Sequence, residues 1–161
     1  MAVQTTPAGY HSVTPYLIVD NATKALEFYQ KALDAKELFR LPVPGKNGQK
    51  IGHAEIRIGD SQLMLSDESP ELDSCSPKTL GGTPASFMIY VADVDKAFDQ
   101  AVKAGAKPLQ AVENQFWGDR TGTIVDPFGH KWTLGTHIED VPPEELQTRM
   151  EQWSSGRNTQ H

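Results

Sequence analysis

The chain has 161 residues, 22% of them charged, and carries a formal net charge of −6 at pH 7. Its length favours one compact domain, or two small modules that share a core. The net charge is negative, and no run rich in lysine or arginine occurs. Neither a nucleic-acid backbone nor an acidic membrane surface is therefore expected as a partner.

The cysteine content and the apolar pattern bear on the compartment. Cys75 is the one cysteine, so an internal disulfide is impossible and a zinc site of several thiolates is excluded. No segment has the apolar length that crosses a bilayer, and the first residues lack the basic and apolar regions of a signal peptide. A cytoplasmic location is therefore expected.

An internal repeat organises the chain. Residues 13–33 and 85–105 match at a constant offset of 72 positions. In both copies a short alternating strand leads into a segment whose apolar residues recur every three or four positions, as on one face of an amphipathic helix. Asp20 or Asn21 can cap the first helix, and Asp93 can cap the second.

More strands follow each helix. Alternating apolar residues predict strands at 38–41, 53–58 and 62–66 after the first helix, and at 121–125 and 130–134 after the second. The last two are joined by Asp126-Pro127-Phe128-Gly129, which is typical of a type I turn. Each copy is therefore predicted to be a βαβββ module.

The predicted organisation has four parts: a first module at 10–68, a linker at 69–84, a second module at 85–137, and a C-terminal helix and tail at 138–161. The linker is rich in Ser, Pro and Gly. The helix is expected to open at Pro142-Pro143 and to end near Trp153. Residues 1–9 and 154–161 are expected to lack order.

Strand alternation sorts the side chains onto two faces of each sheet. The face expected to pack on the helices carries apolar residues: Leu17, Val19, Ile56, Ile58, Leu63, Leu65, Phe87, Ile89, Val91, Trp132 and Leu134. The other face mixes aromatic, thioether, hydroxyl and charged groups, whereas a solvated face would be richer in Lys and Glu. We expect these polar faces to enclose an amphipathic pocket; a face buried in a dimer, or simply wet, is the alternative.

Several strings in this order resemble a known family. They are Pro15-Tyr16-Leu17, Gly52-His53-Ala54-Glu55, Leu65-Ser66-Asp67, Trp117-Gly118-Asp119-Arg120 and Asp126-Pro127-Phe128-Gly129-His130 followed by Trp132. Together with the tandem modules they resemble the glyoxalase/bleomycin-resistance/extradiol-dioxygenase superfamily, and most closely its PhnB-like branch. The resemblance implies an α+β fold in which mixed, curled sheets from two βαβββ modules surround a shared cavity. It also implies a homodimer.

The resemblance also defines where a metal would be held. Metal-dependent members place one His or Glu on the first and last strand of each module. The matching positions here are Thr14, Met64, Ser86 and Thr133. Neutral hydroxyls and a thioether are poor ligands for a divalent ion, so no metal and no cofactor are predicted.

His53 and Glu55 are the predicted catalytic pair. They lie two residues apart on one predicted strand, so they share a face and can act as base and orienting partner. The alternatives are a hydrogen-bonded pair, joined by Arg57, that holds the sheet, or a metal-binding pair. His11, His130 and His137 are expected to have structural roles.

Other polar-face and loop residues are predicted to bind a ligand. They are Thr14, Tyr16, Arg57, Met64, Ser86, Met88, Tyr90, Trp117, Arg120 and Thr133. Trp117 could stack on a flat ligand while Arg120 meets an anionic group. Alternatively, Asp119 and Arg120 form a structural turn and Trp117 packs on the core.

Three functional hypotheses follow. The first is a small-molecule pocket that lacks the usual metal site and binds an amphipathic or aromatic ligand. The second, implied by the resemblance, is a metal-dependent lyase, isomerase or dioxygenase with unconventional ligands such as His53, Glu55 and His130. The third is metal-free acid–base catalysis by Glu55 or His53.

Overall fold

The computed structural model describes residues 3–45 and 49–157, and it contains two modules of the same topology. The first consists of β1 (Tyr16–Val19), α1 (Ala22–Leu33), β2 (Lys36–Pro42), β3 (Ile51–Ile58) and β4 (Ser61–Asp67). Its strand order is β1-β4-β3-β2. The β1–β4 pair is parallel and the other pairs are antiparallel. A four-stranded mixed sheet with one helix results.

The second module repeats this arrangement. A short linker helix, α2 (Pro77–Leu80), precedes β5 (Ser86–Tyr90), α3 (Val94–Ala104), β6 (Lys107–Asn114), β7 (Asp119–Val125) and β8 (Lys131–His137). The strand order is β5-β8-β7-β6, again with one parallel pair at the edge. The predicted α+β fold of tandem βαβββ modules with mixed sheets is confirmed.

Some elements differ from the prediction. The first strand begins at Tyr16, so Thr14 precedes it, and β6 was not located from its sequence pattern. The C-terminal helix α4 runs from Pro143 to Arg157, so residues 154–157 are helical rather than disordered. The predicted disorder at 158–161 lies outside the described residues.

The two module helices, α1 and α3, begin in the same way. The side chains of Asn21 and Asp93 accept hydrogen bonds from the backbone N–H groups of Lys24 and Lys96, which satisfies donors that the first helical turn leaves free. The last strand of each module adds a second anchor. The Asp67 carboxylate accepts from the N–H of Ala22 at 2.8 Å, and the Thr136 hydroxyl accepts from that of Val94 at 3.0 Å.

The core lies between the helices and the apolar faces of the sheets. Most of the residues predicted for this face are buried, and Phe87, Ile89 and Val91 are partly buried against the same cluster. The predicted division of the strands into a packed face and a polar face is therefore confirmed. Burial of this apolar surface supplies the main favourable term for folding.

The Asp126 carboxylate joins the two modules. It opens the predicted turn and accepts the backbone N–H groups of Phe128 and His130, each at 2.9 Å. Its other oxygen accepts the Tyr29 hydroxyl of α1 at 2.7 Å and the Trp132 indole N–H of β8 at 2.9 Å. The carboxylate is 4% exposed, so these donors replace water around a buried charge. Burial, together with this carboxylate, raises the pKa of Tyr29 well above its ordinary value.

Replacing this carboxylate tests its importance. We expect Asp126→Asn to lower the free energy of unfolding by about 3 kcal/mol, because the new NH₂ group would face donors in a buried site. Tyr29→Phe removes one of the donors and should cost about 1.5 kcal/mol. Urea unfolding measures both, with the exposed Asp99→Asn as the control, expected within about 0.5 kcal/mol of the parent chain. An unchanged midpoint for Asp126→Asn would contradict this account.

Candidate functional site

A hydrogen-bonded chain crosses the polar face of the first sheet. The Tyr16 hydroxyl lies 3.0 Å from Nδ1 of His53, and Nε2 of His53 lies 3.2 Å from Oε1 of Glu55. Strand register explains the meeting: Tyr16 and Glu55 both pair with Met64, from opposite sides of β4. Two of these residues are the predicted catalytic pair, and the third comes from the edge strand.

The protonation of this chain follows from Glu55. The neighbouring Tyr10 hydroxyl and the His53 ring hold the pKa of Glu55 below its ordinary value, so the carboxylate is ionised at neutral pH and can only accept. His53 must then donate from Nε2, and in its neutral form Nδ1 is free to accept the Tyr16 proton. The arrangement is a carboxylate, an imidazole and a phenol in series, as in relays that move a proton.

Tyr10 is a neighbour of Glu55 that was not predicted from the sequence as a site residue. Burial, and to a lesser extent the Glu55 carboxylate, raises the pKa of Tyr10 to about 12. Its hydroxyl oxygen is buried, and among the described residues it has no hydrogen-bond partner within the usual distance and angle limits. Tyr10 precedes β1 in an irregular segment, where no periodic pattern could have indicated the face on which it lies.

Apolar side chains surround the polar chain. Phe39 pairs with Glu55 and Leu41 with His53 across β2 and β3, and the Phe39 and His53 rings lie 6.4 Å apart. Tyr16, Phe39 and Leu41 are 46%, 49% and 55% exposed. The face therefore combines acid–base groups with an open apolar surface, which is the composition of an amphipathic binding site.

Arg57 lies on the same face, two positions beyond Glu55, and is exposed. The hydrogen-bonded pair of His53 and Glu55 is present, but within the described part of the chain no ion pair or hydrogen bond joins Arg57 to it. Arg57 thus supplies a positive charge beside the site without neutralising Glu55.

A second cluster occupies the polar face of the second sheet. The Asp119 carboxylate, 4% exposed, accepts the Tyr90 hydroxyl at 2.9 Å and the Trp117 indole N–H at 3.2 Å. His137 bridges it to a further carboxylate: Nδ1 lies 2.7 Å from Asp119, and Nε2 lies 2.9 Å from Asp140. Tyr90 and Trp117 were predicted to bind a ligand, whereas Asp119, which holds both of them, was considered only as part of a structural turn.

These contacts shift the ionisation of both partners. Burial opposes ionisation of Asp119, but hydrogen bonds from His137, Tyr90 and Trp117 outweigh it and lower the pKa of Asp119. Hydrogen bonds to Asp140 and Asp119 raise the pKa of His137. The indole N–H thereby ties Trp117 to the sheet, but its ring is 40% exposed and lies outside the core cluster, so the predicted packing of Trp117 on the core is not found.

Arg120 and Thr133 have other partners. Arg120 forms a bidentate ion pair with Asp95 of α3, at 2.7 and 2.8 Å, on the helix side of β7. This is the side away from Asp119, so contact with a ligand on the polar face is not supported by its position. Thr133 lies on the polar face and shares a hydrogen bond of 2.9 Å with Thr123. Ser86 and Met88 of β5 are exposed.

The four residues that the resemblance matched to metal-ligand positions carry side chains that are poor ligands for a divalent ion. Thr14 donates to a backbone oxygen and Thr133 to another threonine, while Met64 and Ser86 offer a soft thioether and a neutral hydroxyl. Across residues 3–45 and 49–157, no three side chains of the His, Cys, Asp and Glu types are grouped so that they could hold a metal ion. His130, considered as an unconventional ligand, instead bonds the backbone oxygen of Ile18 at 2.9 Å.

The two polar faces do not close over one another within one chain. Met88 and Tyr90 are 42% and 62% exposed. A cavity of about 600 Å³ that both modules line lies at their junction, between the β3–β4 hairpin and β5. Of the predicted ligand residues, it includes Met88 and Tyr90.

The family follows from comparison with known proteins. Residues 9–134 match the family model described as the glyoxalase/bleomycin resistance protein/dioxygenase superfamily, and the chain belongs to this superfamily. An uncharacterized protein of Mycobacterium bovis is 43% identical over 159 residues, which cover 97% of this chain and all of that protein. Protein YjdN of Escherichia coli is 26% identical over 140 residues, covering 76% and 92% of the two chains.

Solved structures share the fold. TioX from Micromonospora sp. ML1 is 25% identical and superposes with a TM-score of 0.61, covering 80% of this chain and 99% of that one. The PhnB protein of Bacillus cereus, at 15% identity, has a TM-score of 0.60 and covers 78% and 99%. The predicted likeness to the superfamily and to PhnB-like proteins is therefore confirmed. Among the helices of the described residues, none has the length and apolar content needed to cross a membrane.

The His137 ion pairs predict a pH-dependent contribution to stability. Because the pKa of His137 is raised in the folded state, protonation of His137 stabilises the fold. This stabilisation is fully present below the ordinary pKa of 6.5, and it is lost as the pH rises through the folded-state pKa. We expect His137→Gln to destabilise more at about pH 5.5 than at about pH 9. Urea unfolding across this range measures the difference, and His11→Gln, an exposed histidine, is the matched control. A pH-independent difference would contradict the assignment.

Proposed function

We propose that the protein binds a small amphipathic or aromatic molecule on the polar face of the first sheet. The observation that carries the proposal is the chain from Tyr16 through His53 to Glu55, set in the exposed apolar surface of Phe39 and Leu41. The aromatic and aliphatic groups would bury the apolar part of the ligand, because burying apolar area is the main source of affinity. Arg57 would attract an anionic substituent.

We further propose that binding needs no divalent ion. The residue types at Thr14, Met64, Ser86 and Thr133 support this, as they supply neither imidazole nor carboxylate. Acid–base chemistry by His53 and Glu55 is the second candidate function. The hydrogen bond of Tyr16 to Nδ1 favours it, because a neutral His53 oriented by Glu55 can accept a proton there.

A second copy of the chain is the partner that we propose. Tyr16, Phe39 and Leu41 on the first sheet, and Met88 and Tyr90 on the second, expose apolar surface that a neighbouring subunit would cover. A homodimer could close the polar faces that one chain leaves open. Sedimentation velocity tests this, and a monomer at about 50 μM would contradict it. A cytoplasmic location is part of the proposal, as the single Cys75 favours a reducing compartment.

Binding is tested with 8-anilinonaphthalene-1-sulfonate, a flat amphipathic anion, and the full chain carrying ¹⁵N-labelled histidine. We expect the ring nitrogens of His53 to shift in a saturable way while those of His137 do not. Phe39→Ala should weaken binding about fivefold, because it removes part of the apolar contact. Leu109→Ala, an equally exposed residue of the second sheet, should leave the affinity unchanged. Unshifted His53 signals at saturation would overturn the proposed site.

The acid–base role has its own readout in the same spectra. Neutral His53 should carry its proton on Nε2, and Glu55→Gln should redistribute it between the two nitrogens while sparing binding of the probe. If His53 carries its proton on Nδ1 in the parent chain, the relay from Tyr16 is wrong.

The absence of a metal requirement is tested on the purified full chain. Bound Zn, Ni, Mn and Fe should each amount to less than about a tenth of an equivalent. A chelator should leave the melting temperature unchanged, because only the removal of a metal that binds the folded state would lower it. One equivalent of bound metal, or a lower melting temperature after chelation, would favour the metal-dependent alternative.

A further inference from the structure

The polar face of the second sheet carries two exposed aromatic rings that meet at one carboxylate oxygen. Oδ2 of Asp119 accepts the Tyr90 hydroxyl at 2.9 Å and the Trp117 indole N–H at 3.2 Å. Because both donor atoms contact the same oxygen, the polar edges of the two rings lie side by side. Tyr90 and Trp117 are 62% and 40% exposed, so an incoming molecule can reach both rings, although the carboxylate between them is buried.

Strand register explains why the Tyr90 side chain lies along the sheet. Tyr90 on β5 pairs with Gly135 on β8, and Asp119 is one strand further across, on β7. The hydroxyl reaches that carboxylate because the side chain leans over β8. Met88 leans the same way, since its terminal methyl occupies the space that a Cβ of Gly135 would fill. The two side chains therefore form an aromatic and thioether floor that faces away from the helices.

The charged groups beside the two rings are negative overall. Asp119 and Asp140 share one histidine, His137, which lies between their carboxylates. The three side chains together carry a single negative charge when His137 is protonated, and two negative charges when it is neutral. Glu139, next to Asp140 in the chain, is paired with Arg149 and so adds little. The side chain of Asp140 is fully exposed, so this part of the surface attracts cations and repels anions.

The aromatic rings add a second attraction for a cation. The faces of Trp and Tyr rings carry negative potential, and a cation placed over them is attracted, most strongly by Trp. The Tyr90 hydroxyl donates to the Asp119 carboxylate, which raises the electron density of the ring and strengthens this attraction. Met88 is 42% exposed, and its polarisable thioether can contact the methyl or methylene groups that surround an organic cation.

We propose that the polar face of the second sheet is a separate binding site for a small organic cation, such as a quaternary ammonium compound. The cationic group lies against Tyr90 and Trp117, with the carboxylate of Asp140 at its edge, and its methyl groups contact Met88. All of these side chains belong to one chain, so binding does not require the second copy proposed above. On the first sheet Arg57 favours an anionic substituent, so the two faces would select ligands of opposite charge.

The test compares choline with 3,3-dimethylbutan-1-ol, which has the same shape and the same hydroxyl group but no charge. The full chain is labelled with ¹⁵N-tryptophan, which gives one indole N–H signal for each of its three tryptophans. We expect choline to shift the Trp117 signal in a saturable way and to leave the signal of Trp132, which is 1% exposed, in place. We also expect the neutral alcohol to bind at least about fivefold more weakly, because it lacks the charge on which both attractions depend.

Tyr90→Leu and Tyr90→Phe form a matched pair, because both lose the hydroxyl but only the second keeps a ring. Tyr90→Leu should weaken choline binding about fivefold, and Tyr90→Phe should stay within about twofold of the parent chain. Equal losses in the two variants, equal affinity of the parent chain for choline and the alcohol, or an unshifted Trp117 signal would each overturn the proposal. The comparison of the two probes decides even if a variant does not fold.

The proposed function and this second site can fail separately. The first is tested with an anionic probe and the signals of His53, and the second with a cationic probe and the signal of Trp117. Leu109→Ala, at an exposed residue of β6, is the control for choline as well and should leave its affinity unchanged.

Discussion

The buried Asp126 carboxylate is the interaction on which the arrangement of the two modules depends. A charge that is only 4% exposed is tolerable because donors from a turn, a strand and a helix surround it. One of those donors, Tyr29, belongs to the other module. This contact sets the helices together on one side, and the polar faces of the sheets are left open on the other.

Local features were predictable and long-range ones were not. The helix at Ala22–Leu33 and the one at Val94–Ala104 were located closely, because the apolar stripe and the caps are written within a dozen neighbouring residues. The strand at Lys107–Asn114 was not located, since it contains Pro108 and lacks alternation. Asp126 was predicted as a turn residue. Its hydrogen bond with Tyr29 joins residues 97 positions apart, and no pattern in the neighbouring sequence indicates it.

The same distinction applies to the candidate sites. His53 and Glu55 could be placed on one face because side chains alternate along a strand. Tyr16 joins them only through the register in which β1 pairs with β4. Alternation outward from the buried Ile124 would have placed Arg120 on the helix side, where Asp95 binds it. Tyr10 acts on Glu55 only because the fold brings the two together, and neither its residue type nor its spacing in the sequence indicates that contact.

Helices α1 and α3 are each held at the first turn by the final strand of their own module, α1 through Asp67 and α3 through Thr136. A carboxylate and a hydroxyl thus perform the same task at equivalent places of the two modules. Because each anchor lies within one module, a substitution on the surface of one module leaves the anchor of the other in place. Such separability is a physical reason why a duplicated scaffold of this kind could acquire unrelated ligands on its two halves.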